Sequence, residues 1–226
     1  MIEAVDQNVG RLLAHLERQQ LADNTLVVFT SDNGGTPQYV APLNGSKGAL
    51  YEGGIRVPCA VWGSRVENPG RTCDEPVLSM DFYPTLAELS GANQPGEQQI
   101  DGVSLLPILR QSGTLNRETV YWHFPCYIGR GEPCSAVRAG DWKLIQKFED
   151  QSVELFNLHD DPGESRNLAQ SNPDRTHQML SLLTDWQTSL NAPRPSELNP
   201  AFDPNTVRRG QRKTRSGKSN KRRTAD

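Results

Sequence analysis

Apolar and polar positions follow two different periods along this chain, and the change of period divides it. Ile2, Val5, Val9, Leu12, Leu13 and Leu16 recur at helical spacing with Asp, Arg, Glu and Gln opposite. That spacing predicts an amphipathic helix over 2–20. A short connection, "LADNT", leads into an apolar run at 26–31 that reads as a strand buried on both faces, as strands of parallel sheets are. A helix feeding such a strand is the grammar of an α/β fold. "VPCAVWG" (57–63) is a second strand of this kind, and Ser79 can cap a helix running to about Leu89 with Pro84 near its first turn.

After about residue 118 the period shortens. "TVYWHF" (119–124), "CSAVRAG" (134–140), "DWKLIQKF" (141–148) and "VELFNL" (153–158) read as short strands, with Gly140-Asp141 as a hairpin turn. A further amphipathic helix is predicted over 174–190 through Met179, Leu182, Leu183, Trp186 and Leu190, followed by the proline-rich "NAPRPSELNPAFDPN". The expected organisation is an α/β portion (1–118), a small antiparallel-sheet subdomain with a C-terminal helix (119–192), and a linker with a tail (193–226). Only two strands of the parallel type are found, and the helix at residue 2 has no strand before it. The chain reads as the second half of a larger sheet.

Charge separates the tail from the body. Residues 207–226 hold nine of the 24 Lys and Arg and one acid, Asp226, which leaves 15 basic against 26 acidic residues elsewhere. Without Leu, Ile, Phe, Trp or Tyr the tail cannot bury enough apolar surface to offset its ordering entropy, so it is expected to be disordered. It is either a solvated extension or an electrostatic attachment to a polyanion. No aromatic interleaving or nucleic-acid motif favours a nucleic-acid partner. No window approaches the ~20 apolar residues of a transmembrane helix, and Met1 opens directly onto the amphipathic pattern with no secretory signal in view. Cys59, Cys73, Cys126 and Cys134 lack zinc-site spacing, while Cys126 and Cys134 flank a short loop and could form a disulfide.

The chemistry concentrates where the first strand ends, in "LVVFTSDNGG" (26–35). Asp-Asn-Gly-Gly is good turn sequence. It also delivers two oxygen ligands, Asp32 and Asn33, to the carboxyl end of a strand, where ligands of open α/β sheets gather. Oxygen donors suit Ca²⁺ or Mg²⁺, and two are too few for either ion. Lys47, between two glycines in "NGSKGALYEGGIRVP" (44–58), is either a solvated loop lysine or a point charge presented to an anionic substrate. Gly53-Gly54 argues against a helix between Glu52 and Arg56, and these two are expected to form an ion pair that holds the loop.

Together with "SMDFYPTLAELSGA", "DGVSLLP", "VYWHF", "AVRAGDWKLI" and "ELFNLHDDPGESRNLA", these blocks, over about residues 1–190, resemble the C-terminal half of a type I, formylglycine-dependent sulfatase of the alkaline-phosphatase-like superfamily. The resemblance implies part of a parallel sheet sandwiched by helices. It implies that Asp32 and Asn33 are two ligands of a Ca²⁺ site, with Mg²⁺ less favoured, and that Lys47 contacts sulfate. It also implies that His123 lies at the edge of the substrate pocket, the alternative being a strand histidine bonded within the small sheet. The substrate class would be a sulfated small molecule or sulfated polysaccharide, and the complete protein would be periplasmic or secreted.

The nucleophile motif of that family, C/S-x-P-x-R, is not met. Cys126 to Arg130 and Cys134 to Arg138 lack the proline, and "SNPDR" (171–175) carries Asp174 at a small-residue place and opens the C-terminal helix. The paired aspartates of the family's metal site are also missing, and "HDDP" (159–162) belongs to a different block. His15, His159 and His177 carry no motif and are expected at the surface. The expectation is a fragment with part of the metal site and the sulfate-binding lysine, inactive and poorly soluble alone. Two alternatives stand: a non-catalytic sulfatase-fold protein that binds polyanions through its tail, and a phosphatase or phosphodiesterase of the same superfamily.

Overall fold

The computed structural model describes residues 1–92, 96–127 and 131–195. The tail at 207–226 and most of the linker lie outside the described residues. Helix α1 (Ile2–Arg18) and a 3-10 turn (Ala22–Asn24) lead into β1 (Leu26–Thr30). Two single-turn helices, α2 (Pro37–Val40) and α3 (Glu52–Ile55), precede β2 (Cys59–Gly63). A 3-10 turn at Ser79–Asp81 opens α4 (Phe82–Ser90), and α5 (Leu106–Leu109) closes the α/β part. Strands β3 (Thr119–Phe124), β4 (Cys134–Ala139), β5 (Trp142–Lys147) and β6 (Val153–Asn157) then form a meander backed by α6 (Pro173–Ser189).

Two expectations are corrected, and the state of one cysteine pair left open by the sequence is resolved. β1 and β2 pair with each other antiparallel, Val28 opposite Val61, instead of joining a parallel sheet. Their apolar runs advertise burial without naming a partner, and β1 is half-buried to exposed along its length. Helix α3 forms across Gly53-Gly54, its turn closed by the Arg56 amide on the Glu52 carbonyl at 2.7 Å. Packing, described below, overrides the low helix propensity of glycine. Cys126 and Cys134 are free thiols. Cys134 points into the core with Ala136, Ile145 and Phe156, while Cys126 is exposed.

The meander forms because each strand alternates, and the alternation feeds two different cores. Gly140 takes the positive φ of 58° that the β4–β5 turn needs. One face, with Val137, Leu144 and Leu155, packs on Met179 and Leu183 of α6. The other, with Ala136, Ile145, Phe156 and Leu158, packs on Leu50 and Tyr51 of the loop ahead of α3. The small sheet is therefore the floor on which the loops of the α/β part rest.

Asp81 performs a comparable task beside α4. Its carboxylate is fully buried and accepts from the amides of Leu78 (2.7 Å) and Val103 (3.0 Å), and it takes a bidentate pair from Arg117 at 2.7 and 2.8 Å. Arg117 also donates to the Pro76 carbonyl at 2.7 Å. A buried carboxylate so fully satisfied pins three segments that share no sheet.

Candidate active site

The site is built where three backbone segments cross at a spacing only glycine permits. The Gly34 amide donates to the Gly54 carbonyl at 2.9 Å, and the Gly53 amide to the Asn44 carbonyl at 2.7 Å. A Cβ on Gly34 would lie 2.7 Å from the carbonyl carbon and Cα of Gly54 and closer still to the Gly53 oxygen. On Gly54 it would meet the Ala49 and Ser46 carbonyls. Backbone thus rests on backbone, and the Asp-Asn-Gly-Gly turn is locked to the loop that carries Lys47. The Lys47 amide completes the lock by donating to the Gly35 carbonyl at 2.8 Å.

Asp32, Asn33 and Lys47 accordingly open onto one cleft of about 1330 Å³. Trp122, Phe124, Arg138, Asp141 and His159 reach the same cleft from the small-sheet side. Its lining is rich in acid, with Asp32, Asp74, Glu75 and Asp141 against Lys47, Arg56 and Arg138. His159, expected at the surface without a role, is exposed at this lining. Its hydrogen bond to Asp160 at 3.0 Å, with the charges of Asp160 and Asp141, holds its pKa above the ordinary histidine value. Among the described residues no group of three or more His, Cys, Asp or Glu is placed to hold a metal ion. The oxygen donors of Asp32 and Asn33 still suit a hard cation in kind, as partial ligands.

His123 does not join them. Strand alternation turns it away from Trp122 and Phe124 to the α6 face. There Nδ1 lies 2.6 Å from the Ser135 hydroxyl, Nε2 donates to the Pro193 carbonyl at 2.7 Å, and the ring meets Phe148 and Trp186 edge-on. Both nitrogens are engaged, one by the small sheet and one by the first residue of the linker. The bonded strand histidine is what the structure contains.

The expected Glu52–Arg56 ion pair is present at 3.8 Å with Arg56 largely exposed, but Glu52 has a closer partner: Lys143 of β5 donates to Glu52 at 2.9 Å and to Glu164 at 2.8 Å. All three side chains are buried, Lys143 and Glu164 at 0% exposure and Glu52 at 4%. Burial raises the Glu164 pKa, opposed by the charge of Lys143. The adjacent Tyr51 hydroxyl donates to Glu154, which with Glu132 holds Lys147 at 3.1 Å. Sequence reasoning missed this buried lysine, although a signal was present. In "DWKLIQK" the period of two places Lys143 on the same face as core Ile145.

The class defined by this fold and cleft is an α/β protein with a carboxylate and an amide just beyond a strand end and a loop lysine on the same cleft. Comparison with known proteins specifies it further. Residues 1–92 match the family model described as Sulfatase. The chain is 38% identical over 218 residues to a protein named Sulfatase from Formosa agariphila, covering 85% of this chain and 39% of that one. It is 40% identical over 134 residues to steryl-sulfatase of Mus musculus, covering 54% of this chain and 22% of that one. A protein solved in complex with k-i-k-neocarrahexaose superposes with a TM-score of 0.74 at 32% identity, over 87% of this chain and 43% of that chain. One solved in complex with its substrate D-glucosamine-2-N,6-O-disulfate superposes with a TM-score of 0.74 at 28% identity, over 87% and 41%. The chain belongs to the sulfatase family and spans at most about two fifths of the curated relatives cited here.

Proposed function

We propose that this chain supplies the C-terminal part of a calcium-dependent sulfuric ester hydrolase acting on a sulfated sugar or other sulfated small molecule. The observation that carries the reading is the shared cleft of Asp32, Asn33 and Lys47, with the two loops joined by the Lys47 amide on Gly35. Asp32 and Asn33 would hold the ion through oxygen, further ligands coming from protein outside this chain. Bound there, a divalent cation stabilises negative charge that gathers on the sulfuryl oxygens as the ester is cleaved. Lys47 contributes a fixed ammonium toward the same oxygens, most effectively in a site from which water is excluded. The acidic lining supports this division of labour, since an anion entering among Asp32, Asp74 and Glu75 is repelled unless cations stand in between.

The nucleophile, a formylglycine from C/S-x-P-x-R, belongs to the part not contained here, so this chain alone releases no sulfate. Periplasmic or secreted placement of the complete protein accompanies this reading. The test is an aryl sulfate assayed beside the matching phosphate ester, using a complete protein that carries the formylglycine motif ahead of these residues. Sulfate release dependent on calcium and lost in Asp32→Ala supports the reading. Preferential phosphate release transfers the assignment to a phosphatase of the same superfamily. Turnover by the present chain alone overturns the division.

A further inference from the structure

Behind the cleft, which Glu52 also lines, one buried ammonium stands between two buried carboxylates. We propose that Lys143, with Glu164, is a positioning residue for Lys47, clamping both ends of the loop that presents it; the catalytic meaning rests on the reading of Lys47 given above. The clamp can be traced atom by atom. On the far side of Lys47, Lys143 Nζ donates to Glu52 Oε1 at 2.9 Å, and Glu164 Oε2 accepts the Glu52 amide at 2.6 Å. On the near side, the Glu164 carbonyl accepts from the Asn44 side chain at 3.3 Å, while the Asn44 carbonyl accepts the Gly53 amide at 2.7 Å. Glu164 is itself held by Lys143 at 2.8 Å. Residues 44 and 52 are thus fastened to one cluster, and Lys47 stands exposed on the span between them.

The electrostatics make the arrangement specific. A buried ion pair contributes little net stability against an apolar replacement, but removing one partner leaves an uncompensated charge. Among the described residues Lys143 is the one cation hydrogen-bonded to both carboxylates, with Arg56 reaching Glu52 at 3.8 Å from a largely exposed position, so its removal leaves two buried carboxylates facing each other. Glu52 and Glu164 would then have to separate or take up protons, and either change releases the loop. The cluster fixes where the loop sits far more than it fixes how stable the sheet is. Its sheet-side anchor, Lys143, is also 6.0 Å from the ring centre of Trp122, which lines the cleft.

Hydrogen exchange on the full chain, read by mass spectrometry, tests the clamp without requiring turnover. Lys143→Met should accelerate exchange across residues 44–54 by about a hundredfold or more, while the amides of α6 change by less than about tenfold. Where Lys143→Met fails to fold, Glu52→Gln removes the loop-side charge at constant volume, and the same contrast between loop and α6 is expected. Equal acceleration in both regions would reduce Lys143 to a general stabiliser and overturn the proposal, as would an unchanged loop. If the complete protein proves not to hydrolyse sulfate esters, the role of Lys47 falls and the clamp stands; an unresponsive loop removes the clamp alone.

Discussion

Replacing Gly34 by alanine tests whether the backbone crossing sets the geometry of the site. The added Cβ would stand 2.7 Å from two backbone carbons of Gly54, where carbon pairs rest at about 3.5–4.0 Å. No side chain there can rotate away, so the turn and the loop must part by about 1 Å. That movement stretches the 2.9 Å hydrogen bond from Gly34 to Gly54 to near 4 Å, beyond useful reach. Overpacking costs about 1–3 kcal/mol and a buried amide left unpaired about as much again, together about 2–6 kcal/mol.

The same 1 Å separates Asp32 and Asn33 from Lys47, and a misplacement of that size costs about a hundredfold in rate. In the complete protein kcat/KM for a sulfate ester should fall by about that factor. Gly35→Ala is the matched control. Its Cβ meets the Val40 side chain at 3.1 Å and the Tyr39 Cβ at an ordinary 3.8 Å, with no backbone in the way, so stability should stay within about 1 kcal/mol of the parent. Thermal melts and initial rates on both variants decide the matter. If Gly34→Ala matches Gly35→Ala in both, the crossing does not set the site.

Other consequences are accessible with simpler measurements. Because burial raises the folded pKa of Glu164, the folded state keeps a proton where the unfolded state has lost it. Its contribution to stability is therefore complete below the unfolded carboxyl pKa and is lost as pH rises through the folded value. Melting temperatures from about pH 4 to 8 should show Glu164→Gln flattening that decline, and parallel curves for the two proteins would contradict it. Burial also pushes the Cys134 thiol up to about 11, so iodoacetamide near pH 8 should modify exposed Cys73 and Cys126 while sparing Cys134 until the chain unfolds. A peptide joining Cys126 to Cys134 would refute the free-thiol state. Arg117→Met strands the buried Asp81 carboxylate and should cost about 3–5 kcal/mol by denaturant melt; a loss below about 1 kcal/mol would show that the Leu78 and Val103 amides suffice.

What the sequence made legible was local. Strands β3 to β6 were readable because each alternates against two cores, and Gly140-Asp141 announces its turn. The pairing of β1 with β2 was not readable, because an unbroken apolar run carries no register and names no neighbour. Gly53-Gly54 misled for a related reason. Propensity argues against helix there, yet the same missing side chains let the turn pass against Asn44 and Ala49, and that contact prevails. At the site, Asp32 and Asn33 stood out as polar residues where a strand meets a turn, and Lys47 as a cation between two loop glycines. Lys143 did not, since its role depends on Glu52 and Glu164, 91 and 21 residues away. His123 shows the cost of reading a motif without its register, for one residue either way faces the cleft.

The two parts of the chain also differ in what holds them. The meander and α6 share a dry core in which Leu144, Leu155, Met179 and Leu183 are all at 0% exposure. Helix α1 buries no residue at all, and Ile2, Val5 and Leu12 of its apolar stripe stand exposed with Phe29 and Trp62 of the neighbouring hairpin. A 17-residue helix without a packed face is marginal in water, and so is a two-stranded hairpin. Within this chain, then, the strand that carries Asp32 and Asn33 is held chiefly through its far end, where Gly34 meets the clamped loop. Within residues 1–192, trypsin acting on the native chain should cut first in α1, at Arg11 or Arg18, and leave β3 to α6 intact; α1 amides exchanging as slowly as those of β4 and β5 would refute this. Additional protein laid over the apolar stripe should remove that difference.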